Sequence, residues 1–242
     1  MLVVNRKDMN HATELYTYNL KNGALKQLTH ANDDAYNNIT LSKVEKRMVK
    51  TSDGKDMLTW VIYPPNFDPS KKYPTILYCK GGPQGPLSQS YSFRWNYQLM
   101  AANGYIIIAP SRRGMSGFGI AWNEQISKDY GGQNMKDYLA AIDDISKESY
   151  VDTDRLGCVG ASYGGYSAFY LAGIHEGRFK SFIAHDGMFN LRSMYGTTEE
   201  LFFVNWDLGG VYWDENNVSA QKAFNEFNPV NYVDKWDTPI LI

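Results

Sequence analysis

The sequence predicts an α/β protein with a mostly parallel sheet and helices on both of its faces. Three observations carry that expectation. Apolar runs of strand length, among them residues 75–79 and 105–109, alternate with stretches of helical period. Loops almost bare of side chains, Gly81-Gly82-Pro83 and the run from Gly114 to Gly119, follow those strands. A third apolar run at 155–159 leads through Gly160-Ala161-Ser162-Tyr163-Gly164-Gly165 straight into a helix-forming stretch.

Residues 1 to about 40 stand apart. Residues 14–20 alternate polar and apolar side chains, Asn22-Gly23 is a strong turn signal, and residues 24–29 follow as a second strand. A lone hairpin is marginal in water, so this one reads as part of a larger β structure. From Val44 onward the pattern changes. Residues 44–50 and 57–63 read as strands around Ser52-Asp53-Gly54, and Pro64-Pro65 and Asp68-Pro69 mark a loop. Residues 75–79 form an apolar strand that ends in Lys80-Gly81-Gly82-Pro83. Residues 91–102 read as a helix stopped by Gly104, and 105–109 as the next strand. Met135, Tyr138, Leu139, Ile142 and Ile145 recur at helical spacing, so that helix buries one face. Residues 179–184 form a further strand, 190–230 carry scattered aromatics and read as helical, and 238–242 begin a last strand.

Composition removes several functions. The chain has 242 residues, 43% hydrophobic and 21% charged, with a net charge of −2. That is enough for one large core, and there is no basic field to recruit nucleic acid. No apolar run approaches a membrane span, and the first four residues are too few for a signal-peptide core. Cys79 and Cys158 both fall in predicted strands and read as reduced core residues rather than a disulfide or metal pair. No metal and no cofactor is expected.

Strand, Gly-x-Ser-x-Gly, helix is the signature of a nucleophile elbow. The turn strains the backbone at Ser162, its glycine neighbours avoid clashes, and the first helical N–H groups face a developing oxyanion. Ordinary Gly and Ser usage gives the bare pattern in about one chain in ten of this length, and the strand-then-helix context lowers that sharply. A dinucleotide-binding fold is the rival, because Asp186 lies about 20 residues beyond Gly164. The glycine spacing is not Gly-x-Gly-x-x-Gly, however, and several strands precede the motif.

Lys72-Tyr73-Pro74, Gly81-Gly82-Pro83, Arg113-Gly114 with Gly117 and Gly119, residues 160–166, and Thr238-Pro239 occur in one order over residues 44–242. In this the chain resembles the catalytic domain of the prolyl oligopeptidase family of serine peptidases, nearest its acylaminoacyl-peptidase and bacterial dipeptidyl-peptidase branches. The resemblance implies an α/β-hydrolase fold over residues 41–242. It implies Ser162 as nucleophile, backbone N–H groups of Tyr163 and Gly81 as the oxyanion hole, and Tyr166, Met188, Phe189 and Tyr195 as walls of the substrate pocket. It also implies a peptide substrate, possible homodimers of the parent enzyme, and a bacterial cytoplasmic or periplasmic setting. Residues 1–40 resemble the last hairpin of a β-propeller. Lys80 stands where the family usually carries His or Tyr, and is left out of the catalytic set.

A serine nucleophile needs a base, and in α/β-hydrolases the acid and the histidine follow the serine. His11 and His30 precede the hydrolase region, and His175 reads as a helix-end residue. His185 and Asp186 are neighbours at a strand end, so their side chains are expected on opposite faces. The expectation is a chain cut at both ends, inactive by itself for want of a base. Another α/β-hydrolase esterase, or a hydrolase-fold interaction module without the triad, is the alternative.

Overall fold

The structure is a computed structural model and describes residues 1–242. The chain opens with a three-stranded antiparallel sheet of β1 (Leu2–Arg6), β2 (Glu14–Tyr18) and β3 (Leu25–Gln27). The hairpin of β2 and β3 is the expected one, and β1 is an addition. No residue of β1 is buried, so it has no apolar alternation to read. Pairing with β2, from Leu2 opposite Tyr18 to Arg6 opposite Glu14, makes it a strand. Helix α1 (Asp33–Tyr36) follows.

The strands of the main sheet are β4 (Val44–Lys50), β5 (Asp56–Ile62) and β6 (Tyr73–Cys79), then β7 (Ile106–Pro110) after α2 (Tyr97–Ala102). Helices α3 (Ile120–Glu124) and α4 (Gln133–Ile145) lead to β8 (Val151–Ala161), and α5 (Tyr163–Ala172) leads to β9 (Ser181–His185). Helices α6 (Leu191–Thr197), α7 (Leu201–Leu208) and α8 (Val218–Asn225) and a 3₁₀ segment, Pro229–Lys235, precede β10 (Ile240–Leu241). The seven strands lie in the order β10-β9-β8-β6-β7-β5-β4. Only β4 with β5 and β5 with β7 are antiparallel; every other neighbouring pair is parallel. This is the mostly parallel α/β sheet that the alternation of patterns predicts.

Side chains alternate across the sheet as strand geometry requires. Leu77, Cys79, Ile106 and Ile108 enter the larger core, which α4, α5 and α6 to α8 cover. Tyr78, Ile107 and Ala109 enter a smaller core on the other face, with Tyr97 and Ala101 of α2. Both faces therefore carry helices, unequally. All residues of α5 are buried, which explains why that helix shows no apolar stripe. Helix α2 is shorter than the sequence suggests. The Asn96 side chain accepts N–H bonds from Gln98 and Leu99 and so starts the helix there, leaving 91–96 as loop.

The Gly-rich loop after β7 is tied down by charge. The fully buried Arg113 guanidinium pairs with buried Asp137 of α4 at 2.5 Å and with Asp53 in the β4–β5 turn, and it lies 4.2 Å from the Trp122 ring centroid. Burial holds the Asp137 carboxyl above its usual range despite bonds from Gln133 and Arg113. Breaking such a pair strands a charge. Asp137→Ala is expected to cost about 3–5 kcal/mol, read as a lowered urea midpoint at unchanged slope.

Candidate active site

Ser162 stands where β8 stops and α5 starts. Its backbone takes φ 59° and ψ −123°, a conformation that costs a residue with a side chain about 1–3 kcal/mol. The surroundings hold it there. Its N–H donates to the His185 carbonyl at 3.0 Å, and its own carbonyl accepts from the Tyr166 N–H at 2.9 Å. Glycine is required on each side. A Cβ at position 160 would lie 2.1 Å from the Gly164 carbonyl oxygen, and one at position 164 would lie 2.0 Å from that of Cys79. The turn packs backbone to backbone, and the Ser162 side chain is left on an exposed tip.

The loop after β6 runs along this tip. A Cβ on Gly81 would fall 3.5 Å from the Ser162 Cβ and 2.8 Å from the Ala161 carbonyl oxygen. The first N–H groups of α5, beginning with Tyr163, have no acceptor within the helix. Both backbone segments expected to supply oxyanion donors thus lie beside the serine.

Two cavities meet at Ser162. One, of about 350 Å³, is walled by Gly82, Pro83, Tyr130, Met188, Met194, Phe203 and Val204, with Glu200 at its edge. The other, of about 360 Å³, is polar and holds Lys80, Arg94, Trp95, His185 and Asp186. The Lys80 ammonium reaches only the neighbouring Gly81 carbonyl, at 3.4 Å. Burial, and then the nearby Arg112 cation, push its pKa below the usual lysine value.

The sequence signature of the prolyl oligopeptidase family matches residues 91–242. Dipeptidyl-peptidase 5 of Porphyromonas gingivalis is 55% identical over 242 residues, which is all of this chain and 35% of that protein. The chain belongs to the prolyl oligopeptidase family. Dipeptidyl-peptidase 5 of Schizosaccharomyces pombe is 37% identical over 210 residues, 85% of this chain and 30% of the relative. The chain thus spans about a third of the length of these relatives. The solved acylaminoacyl peptidase of Pyrococcus horikoshii superposes with a TM-score of 0.87 at 23% identity, over 98% of this chain and 37% of that one. Dipeptidyl peptidase 4 of Porphyromonas gingivalis gives 0.81 at 21% identity, over 99% and 33%. The fold is the α/β-hydrolase fold of these peptidases.

Of the four side chains that family resemblance put in the substrate pocket, the structure brings only Met188 to the cavity. Tyr166 is fully buried and its hydroxyl donates to the Phe227 carbonyl at 2.7 Å. Phe189 packs edge-on against Phe169 and Trp236. Tyr195 is buried beside Tyr212, with its hydroxyl bonded to Asn205. Tyr166 and Tyr195 belong to the larger core and Phe189 packs against it, because α6 to α8 close over these rings. Their places at the cavity go to Met194, Phe203, Val204 and Tyr130, which lie on helices and a loop that carry no motif.

No histidine bonds the Ser162 hydroxyl. His185 and Asp186 line the same cavity, contrary to the expectation from strand alternation, because the strand ends at His185 and Asp186 turns with φ 49°. The two still do not bond each other. The His185 Nε2 faces the Arg94 guanidinium at 3.3 Å, and its ring packs edge-on to Trp95. His175 is buried beyond α5, where Nδ1 accepts the Phe179 N–H at 3.1 Å. Burial lowers its pKa from the ordinary 6.5, with Asp237 opposing. The unfolded chain therefore takes up this proton at higher pH than the folded one. Stability from neutral His175 is complete above 6.5 and falls as the pH drops below it. Urea unfolding at neutral pH and about one unit below 6.5 should show that loss, and His175→Gln should flatten it.

Proposed function

We propose that the chain carries the nucleophile and oxyanion-hole part of a serine exopeptidase that releases short N-terminal pieces of peptides, of the dipeptidyl-peptidase kind. The observation that carries this reading is Ser162 held at positive φ on an exposed tip, with the Gly81 backbone against it. The 55% identity to a protein named dipeptidyl-peptidase 5 favours release of dipeptides over acylated residues. In this reading the Ser162 Oγ attacks the scissile carbonyl carbon and its proton passes to a base. The carbonyl oxygen gains negative charge between the N–H groups of Gly81 and Tyr163. The C–N bond then breaks, the amine leaves with a proton, and water hydrolyses the acyl-serine ester. We read the sheet of β1 to β3 as the closing strands of a β-propeller, which its exposed Leu2, Val3, Leu15 and Leu25 support.

A fluorophosphonate probe tests the nucleophile. In the full-length gene product it is expected to label Ser162. Ser162→Ala should abolish labelling and lower kcat/KM by at least about 10³-fold. These 242 residues by themselves should label far more slowly, since no base bonds the Ser162 hydroxyl. A full-length product that resists the probe while folded sinks the reading.

Met188, Met194, Phe203 and Val204 give the cavity beside Ser162 an apolar wall. The full-length product should therefore prefer a small or apolar residue before the cleaved bond, by about tenfold or more in kcat/KM over Lys, Arg or Asp. A panel of fluorogenic dipeptide substrates reads this directly, and preference for a charged residue would contradict it.

A further inference from the structure

One buried cation has no place in the reaction described above. Arg112, just after β7, is fully buried, yet its guanidinium meets no carboxylate. Its Nη1 donates to the carbonyls of Pro83 at 2.8 Å and Arg113 at 2.7 Å, its Nη2 to the carbonyl of Lys80 at 3.2 Å, and its Nε to the Tyr138 hydroxyl at 3.1 Å. The guanidinium carbon also lies 4.8 Å from the Tyr163 ring centroid and 5.7 Å from that of Tyr138.

We propose that Arg112 is the positioning residue of the oxyanion hole: its guanidinium grips the carbonyls of Lys80 and Pro83 and so aims the Gly81 N–H at the reacting oxygen. A trans peptide points its C=O and its N–H in opposite directions. Fixing the Lys80 carbonyl on Arg112 therefore fixes the direction of the Gly81 N–H, which belongs to the same peptide. The second anchor, at Pro83, stops the two glycines between from swinging. The same cation packs on the ring of Tyr163, whose N–H is the other donor, so one group sets both halves of the hole. Only a planar fork can hold three carbonyls and a phenol at once, and the three donors of a lysine cannot reproduce it. The backbone is shaped around the fork, since a Cβ on Gly114 would lie 2.7 Å from Nη1. A buried cation without an anion is expensive to strand, and here every oxygen that stabilises it belongs to the loop it orders, to the adjoining Arg113 peptide or to Tyr138.

The geometric part stands by itself; the effect on rate rests on the reading of Ser162 as nucleophile. Two measurements keep these apart. Amide exchange of the loop at 81–85 is followed in the 242-residue chain, and kcat and KM are measured separately in the full-length gene product. Arg112→Met should speed exchange of the loop amides by about tenfold while α5 and β6 stay protected. It should lower kcat by about 10²-fold with KM changed by less than about threefold, the mark of a contact made to the transition state. Arg112→Lys keeps the charge and loses the fork, so it should resemble Arg112→Met. Wild-type exchange and wild-type kcat in Arg112→Lys overturn the proposal, and so does a change confined to KM. If Arg112→Met does not fold, Arg112→Lys decides by the same criteria. Faster loop exchange with no probe labelling of wild-type Ser162 would uphold the grip on the loop and reject the nucleophile instead.

Discussion

Contact of backbone with backbone at the Ser162 turn is the constraint on which the rest of the site depends. The carbonyls of Gly164 and Cys79 occupy the space where side chains at 160 and 164 would begin. That closeness brings the start of α5 against the end of β6, and with it the loop that leaves β6. It also forces Ser162 to positive φ. Strain of this kind survives only where the surroundings over-determine it. Here they do so with a wholly buried helix and with a bond from the Ser162 N–H to the His185 carbonyl. The helix that presents the serine is thus anchored by its entire surface rather than by one stripe.

An arginine and an aspartate side chain beneath the loops form a second layer. Arg112 is buried without an anion, and Asp207 of α7 is buried without a cation. Asp207 accepts bonds from Gln84, Ser127 and Tyr130, and so holds the loop after β6 just beyond the stretch that Arg112 holds. Neither group serves as half of an ion pair. Each is satisfied by several neutral donors or acceptors, an arrangement that rewards order in the partners as much as proximity. Arg113 and Asp137 follow the commoner logic of a buried pair, and they fix the neighbouring Gly-rich loop. The exposed ends of the parallel strands are therefore stiffened from below by charge, while the surface above stays open to a ligand.

The centre of the sheet was legible in the sequence because β5, β6 and β7 are largely buried on both faces, and continuous apolar runs such as 75–79 mark such strands. The elbow was legible because its constraints fall within six consecutive residues, 160–165. Strand β1 was not, since neither of its faces is buried and its pairing with β2 is all that orders it. The cavity walls were not either. Tyr166, Phe189 and Tyr195 are aromatic and near the serine in sequence, but whether such a ring faces a cleft or a core depends on how α6, α7 and α8 pack. Met194 and Phe203 face the cavity and bear no local sign of it. Arg112 was visible only as part of a Gly-rich loop. Its partners Lys80, Pro83 and Tyr138 are remote in sequence, and no spacing rule joins them to it.

Positioning and proton transfer separate in this molecule. Holding the serine and aiming two N–H groups depends on backbone geometry, which the sheet and buried side chains set rigidly. In the proposed reading, accepting the serine proton would depend on one side chain reaching a single oxygen. His185 comes near and is turned toward Arg94 instead. Lys80, its pKa lowered by burial and by Arg112, bends back to its own loop. The polar cavity therefore surrounds Ser162 with titratable groups without coupling any of them to it. None of the side chains lining that cavity bonds the Ser162 hydroxyl. That is why the backbone part of the site can be derived from residues 79–85 and 160–166 alone, whereas its reactivity cannot.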